Sequence, residues 1–242
     1  MSGDLVELGA DVAHQLSRVL RLSRGDRVRA FDDRGVEVEL ELTTLRAGQA
    51  AGRVLRRWEP RSEPSLAVTL LQGIPRRDRL EMAIQKATEV GVSSILPVVC
   101  ARSVAVVEDG GRGSRMARWR RIAVEATEQS GRTRAPEVAA PCTLGEALAR
   151  DSEVPLVLAW EAELALPVRE GLRLALAREA GAIRLMVGPE GGFEEREVGL
   201  ARERGAVVVS MGPRILRTET AGPTLAALAL YEAGEMGPRR AE

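Results

Sequence analysis

Leu66-Ala67-Val68-Thr69-Leu70-Leu71 is a nearly unbroken apolar run; Leu80, Ala83, Ile84 and Ala87 follow at i, i+3, i+4 and i+7, and Ser94-Ile95-Leu96-Pro97-Val98-Val99-Cys100 completes the unit. A continuous run predicts a strand buried on both faces. The helical spacing predicts a helix of about 13 residues that stops near Gly91. Pro97, which has no amide proton to give a ladder, predicts an irregularity in the second strand. Outward from this stretch the alternation continues. Trp119, Ile122, Ala123 and Ala126 repeat the helical spacing as far as Ser130-Gly131; 154–159, 183–187 and 206–210 read as strands, and 220–233 as a final helix. Strand, helix and strand in repetition predict an α/β fold whose parallel sheet is covered on both faces.

Upstream the period changes to two. Arg27-Val28-Arg29-Ala30-Phe31 and Val36-Glu37-Val38-Glu39-Leu40-Glu41-Leu42 flank the turn Asp32-Asp33-Arg34-Gly35, a pattern of half-buried antiparallel strands and so of a small β-barrel or sheet. Glu59-Pro60-Arg61-Ser62-Glu63-Pro64-Ser65 sets two prolines among polar residues. The domain boundary is placed there, giving residues 1–63 and 64–242.

Composition excludes several classes. With 45% hydrophobic and 29% charged residues in 242, the chain is neither disordered nor fibrous and has room for a real core. Its longest apolar runs, such as Leu225 to Tyr231, fall well short of the about 20 residues a membrane helix needs. Met1-Ser2-Gly3-Asp4 lacks a signal-peptide pattern, so a cytoplasmic location is expected. Cys100 and Cys142 are too few for a disulfide framework or a zinc site, and no metal is expected.

Lys plus Arg and Asp plus Glu both number 35, which does not suit a generic, strongly basic nucleic-acid binder. The balance is uneven, however: residues 76–135 carry 12 basic and 7 acidic side chains, residues 136–242 carry 12 and 17. Lys86 is the single lysine, and Arg-rich, Asn-free composition otherwise follows high-GC codon usage. The six aromatics, Phe31, Trp58, Trp119, Trp160, Phe193 and Tyr231, are too sparse for a base-stacking sheet.

Ligands of parallel α/β sheets sit beyond the carboxyl ends of the strands. Three loops lie there: Ala159-Trp160-Glu161, Gly188-Pro189-Glu190-Gly191-Gly192-Phe193, and Met211-Gly212-Pro213-Arg214-Ile215-Leu216-Arg217-Thr218-Glu219-Thr220-Ala221-Gly222. A glycine-rich loop before a helix suggests phosphate, but Glu190, Glu194, Glu195 and Glu197 surround this one and it has no P-loop Lys or Ser/Thr. The acids suit a helix macrodipole instead. A ligand that approaches the backbone without being polyanionic meets the demand, as S-adenosyl-L-methionine does. The alternative is a purely structural turn.

The loop at Gly188 to Phe193 and the segment Ile215-Leu216-Arg217-Thr218-Glu219-Thr220-Ala221 together resemble the GPEGGF and ILRTETA signatures of the ribosomal RNA small subunit methyltransferase E family, within the SPOUT superfamily. Agreement extends to His14 through Arg21, Gln85 through Val92, Arg102-Ser103, and Glu125 through Arg132. The resemblance implies an N-terminal PUA-like RNA-binding β-barrel, a SPOUT α/β methyltransferase domain with a C-terminal trefoil knot, and a homodimer. It implies methyl transfer from S-adenosyl-L-methionine to N3 of a decoding-region uridine of 16S rRNA, free or in the small ribosomal subunit. The cofactor would lie against Leu158, Trp160, Gly188, Glu190, Gly191, Gly192, Met211, Gly212, Ile215, Leu216 and Thr220. Other readings are a SPOUT enzyme for another nucleotide and a non-catalytic RNA-binding ribosome-assembly module.

Arg217 is the candidate for stabilising a uridine anion, or else pairs with Glu219 or with an acid of a partner subunit. Glu128 and Glu219 are candidate bases, with solvent as the alternative. Arg21, Arg77, Lys86, Arg102, Gln129, Ser130 and Arg132 are the candidate RNA contacts, Arg132 foremost. The alternative is a solvated helical face paired to Glu81, Glu89 and Glu125. Two departures stand out: no recognisable Arg-Phe-Phe-like strand precedes Asp4, so either the barrel lacks its first strand or the true start lies upstream, and Arg77 stands where the family tends to have Lys.

Overall fold

The computed structural model describes residues 4–32, 35–46, 48–59, 62–103, 112–178 and 181–237. Asp33 and Arg34 of the first turn and Pro60 and Arg61 of the Pro-containing segment lie outside the described residues. The chain divides into two compact units, Met1–Glu63 and Pro64–Glu242.

In the first unit, β1 (Leu5–Leu8), β2 (Arg27–Phe31), β3 (Glu37–Arg46) and β4 (Gln49–Trp58) form an antiparallel sheet in the order β1-β4-β3-β2. Strand β1 pairs with Ala50–Arg53 of β4, while the positions before Asp4, where the family's Arg-Phe-Phe-like strand would fall, lie outside the described residues. The Leu-Val-Glu-Leu alternation of β1 is too short to stand out in the sequence. Helix α1 (Ala10–His14) runs into a π-helical turn, Gln15–Val19. It brings Ala13 and Leu16 onto Leu42 and Ala50 in a small core.

The second unit carries β5 (Ala67–Gly73), α2 (Arg79–Val90), β6 (Ser94–Val99), α3 (Arg112–Ser130), β7 (Glu137–Val138), β8 (Cys142–Thr143) and α4 (Leu144–Ala149). It continues with β9 (Leu156–Ala159), α5 (Val168–Leu176), β10 (Ala182–Val187), α6 (Glu195–Glu203), β11 (Val207–Val209) and α7 (Thr218–Glu232). The sheet is parallel, in the order β11-β9-β10-β5-β6-β7 with β8 also on β6. Pro97 sits between the residues of β6 that pair with β7, Ser94 and Ile95, and those that pair with β8, Val98 and Val99. Its missing amide proton thus falls where the outer ladder is already interrupted.

Alternate residues of each strand enter two cores, as a sheet buried on both faces requires. Val68, Leu70, Ile95, Val157, Leu185 and Val209 pack with Ile84, Trp119, Leu172 and Leu225 of α2, α3, α5 and α7. Leu71, Leu96, Leu158, Met186 and Val208 pack with Leu148 and Val198 of α4 and α6. Cys100 lies in that second core, where burial pushes its thiol up to about 12 and keeps it protonated.

Arg132 is corrected from RNA contact to structural tie. Only 6% exposed, it turns inward after α3, and its Nη1 donates to the carbonyls of Thr88 (2.8 Å) and Val92 (2.9 Å). A cation at the carboxyl end of α2 also opposes that helix's negative pole. Arg132→Met should therefore cost about 2–4 kcal/mol of stability, from lost charged hydrogen bonds and stranded carbonyls. Urea unfolding checks this, and a loss below about 0.5 kcal/mol, the scale of an ordinary surface substitution, refutes the structural role.

Candidate active site

The carboxyl ends of β9, β10 and β11 lie side by side, and the loops leaving them enclose a cavity of about 300 Å³. Ala159, Trp160 and Glu161 form one wall, residues 187–192 the second, and Met211, Gly212, Arg214 to Thr218 and Ala221 the third, with Arg79 reaching in from α2.

The glycine-rich loop is a tight turn, with the Gly192 amide donating to the Pro189 carbonyl at 2.9 Å. Gly192 has φ +69°, and a Cβ there would fall on the Glu161 carboxylate. The loop is tied down from several sides. The Glu190 carboxylate accepts from the Arg76 amide (2.9 Å) and from Nη1 of Arg79 (3.2 Å). Arg102 donates through Nη1 to the Gly191 carbonyl at 2.7 Å. The Thr218 hydroxyl donates to the Gly188 carbonyl at 2.6 Å. The acids that follow form a capping box: Glu194 caps α6, and Glu197 accepts from the Glu194 amide at 2.9 Å. Glu197 also accepts from the Ala101 amide at 2.8 Å, which holds the segment bearing Arg102 near the loop.

Of the residues expected at the cofactor, Trp160, Gly188, Glu190, Gly191, Gly192, Met211, Gly212, Ile215 and Leu216 line the cavity, and so does Arg217. Leu158 does not: its side chain is wholly buried in the second core, and Ala159 takes its place on the wall. Thr220 is exposed and is not part of the cavity lining. Helix α7 begins at Thr218, two residues before its expected start, so Thr218 and Ala221 face the cavity instead.

Neither candidate base reaches the cavity wall. Glu128 is exposed near the end of α3. Glu219 is 8% exposed, with Oε1 4.0 Å from Nε of Arg79 and Oε2 lacking a hydrogen-bond partner. Arg217, at the N-cap of α7, is exposed and makes no ion pair with Glu219. Lys86 lies on the exposed face of α2, 2.8 Å from Glu89. Arg77 and Arg21 are exposed at left-handed turns, φ 56° and 54°. Gln129 is exposed and Ser130 returns its hydroxyl to the Ala126 carbonyl at 2.7 Å.

Glu161 and Arg214, which line the wall, belong to the loops the sequence pointed to, whereas Arg79 and Thr218 on the wall and Gln72 next to Thr218 were missed. Gln72, wholly buried at the carboxyl end of β5, is a polar residue where an apolar strand should continue. That is a readable signal.

A family model described as RNA methyltransferase domain matches residues 62–230. The Ribosomal RNA small subunit methyltransferase E of Bacillus subtilis is 33% identical over 86% of this chain and 82% of its own. That of Synechocystis is 35% identical over 88% and 68%. Among solved structures, the Neisseria gonorrhoeae protein of the same name, bound to S-adenosyl methionine, superposes with a TM-score of 0.83 at 32% identity, covering 96% of this chain and 93% of its own. A Legionella pneumophila protein in complex with bound cofactor SAM gives 0.80 at 28%, covering 97% and 93%.

Proposed function

The chain belongs to the ribosomal RNA small subunit methyltransferase E family, and from that premise we propose that it methylates N3 of a decoding-region uridine in 16S rRNA. The observation that carries the reading is the cavity: three parallel-strand ends, a glycine turn that admits a ligand against the backbone, and no phosphate-binding lysine. Its chemistry fits S-adenosyl-L-methionine. The lining mixes apolar groups (Ala159, Val187, Met211, Leu216) with backbone polar atoms and a carboxylate, Glu161, which suits an adenosine and a cationic sulfonium. When bound, that cofactor supplies an electrophilic methyl group.

This chain's residues do the rest. The loops hold the methyl group's carrier in one orientation, and such positioning supplies much of the rate. Arg217, charged and unpaired with Glu219 at the rim, holds the negative charge that develops on the uridine as N3 loses its proton. With Glu128 and Glu219 off the wall, solvent takes that proton. Arg21, Arg77, Lys86, Gln129 and Ser130 contact the RNA, while Arg102 divides its guanidinium between the loop and the substrate. We also infer that the first unit closes as a PUA-like barrel, that the C-terminal strands form a trefoil knot, and that the protein works as a cytoplasmic homodimer. The insertion of β9 and β10 between β11 and β5 supports the knot.

Purified protein incubated with methyl-labelled S-adenosyl-L-methionine and small subunits or free 16S rRNA should yield 3-methyluridine in the nuclease digest. Label on another base or on a ribose oxygen refutes the uridine assignment. Absence of cofactor binding in calorimetry refutes the enzyme.

A further inference from the structure

Gln72, Thr218 and Gly188 come from three distant parts of the sequence and form one line of hydrogen bonds that runs from the buried Gln72 to the cavity wall. Nε2 of Gln72 donates to the carbonyl of Gly73 (3.2 Å) and to the hydroxyl of Thr218 (2.8 Å). That hydroxyl donates to the Gly188 carbonyl at 2.6 Å. Gln72 is 0% and Thr218 4% exposed.

The directions are forced. The Gly73 carbonyl only accepts, so the amide must turn its NH₂ toward it, and the same NH₂ then meets Thr218. A hydroxyl has one proton. With its oxygen already accepting from Gln72, Thr218 can spend that proton only on Gly188. The amide is held in this orientation although its Oε1 is left buried without a partner. It faces Gly222 of α7, where a Cβ would stand 2.5 Å away, so a side chain at 222 would displace the amide. Turned the other way, the amide would set its oxygen against the Gly73 carbonyl and lose both donated bonds, so the hydrogen bonds to Gly73 and Thr218 decide its orientation. Gly188 opens the glycine turn, and its carbonyl accepts the last hydrogen bond of this line.

We propose that Gln72 and Thr218 are positioning residues for the cofactor: through the Gly188 carbonyl they fix the backbone turn of the glycine-rich loop in its binding shape before the cofactor arrives. The assignment rests on the proposed methyltransferase reading, and it concerns preorganisation, which raises affinity by removing the ordering cost of binding.

The test uses the full-length protein and two substitutions. Thr218→Val keeps the shape and removes both hydrogen bonds; Thr218→Ser keeps them. Thr218→Val should weaken S-adenosyl-L-methionine in calorimetry about tenfold, the scale of one lost hydrogen bond with a stranded buried acceptor. Its KM for cofactor should rise by more than its kcat falls, and Thr218→Ser should return both to within about threefold, since the donor is restored. A second readout needs no ligand. Amide hydrogen exchange over residues 188–193 of the ligand-free Thr218→Val protein should quicken, while β9 exchanges as in wild type. A purely structural role would quicken both segments together, overturning the proposal, as would cofactor affinity within twofold of wild type. If Thr218→Val fails to fold, Gln72→Met, which removes the amide alone, is read in the same two ways. Should wild type bind no cofactor, the methyltransferase reading fails, while the exchange comparison still decides whether this line of bonds orders the loop.

Discussion

Gly73→Ala should reduce methylation by about a hundredfold, the penalty that a misplacement on the order of 1 Å can impose on a reacting pair. Gly73 ends β5 directly against the glycine-rich loop. A Cβ there would stand 2.5 Å from the Pro189 nitrogen, 2.6 Å from the Gly188 carbonyl carbon and 2.8 Å from Pro189 Cδ. Two of those contacts are backbone, so no rotamer relieves them, and the loop and strand end must part. The fold itself should survive, because one extra methyl in a packed site costs about 1–3 kcal/mol. Calorimetry with S-adenosyl-L-methionine and the RNA methylation assay measure the effect, and urea unfolding separates it from a folding defect. Gly199→Ala in α6, where a Cβ meets nothing within 4 Å, is the control and should methylate as wild type does. A folded Gly73→Ala protein with wild-type turnover would show that the loop's position does not govern the reaction.

Arg217→Ala should reduce turnover by about 10²–10³-fold, the range found when one donor to a developing anion is removed, while S-adenosyl-L-methionine affinity stays within a few fold. The side chain is at the cavity rim, exposed, with its neighbour Glu219 turned toward Arg79 at 4.0 Å. Its charge is therefore available to a substrate. Lysine should restore little of the activity, because a single ammonium cannot reproduce the planar fork. Single-turnover methylation of small subunits at saturating cofactor is the measurement. Unchanged turnover removes Arg217 from the mechanism.

The alternation around Leu66 to Cys100 was enough to read a parallel sheet covered on both faces, because strands buried on both sides leave continuous apolar runs and their covering helices leave a 3.6-residue period. The site was legible wherever it is made of backbone turns, since glycines and loops at strand ends carry a positional rule. It was not legible where a side chain's direction depends on a helix start. Two residues' difference at α7 exchanged Thr220 for Thr218. Arg132 shows the other limit: arginine reads as surface, and only tertiary packing reveals two carbonyls that require its guanidinium inside. Leu158 was misplaced by one position because side chains alternate across a strand and only every second one can face a given layer.

The sheet order has a kinetic consequence. β5 is the first strand made in its unit, yet it pairs on one side with β6, Thr69 to Ser94, and on the other with β10, Ala67 to Ala182. Pairings so far apart in sequence make for slow folding, since loop closure is spent long before the contact rewards it. During synthesis one edge of β5, with the fully buried Leu70 and Leu71, must wait for more than a hundred further residues. The cavity itself is complete only once Ala221 has emerged, so the nascent chain stays blind to the cofactor until every strand of the sheet and the start of α7 have been translated.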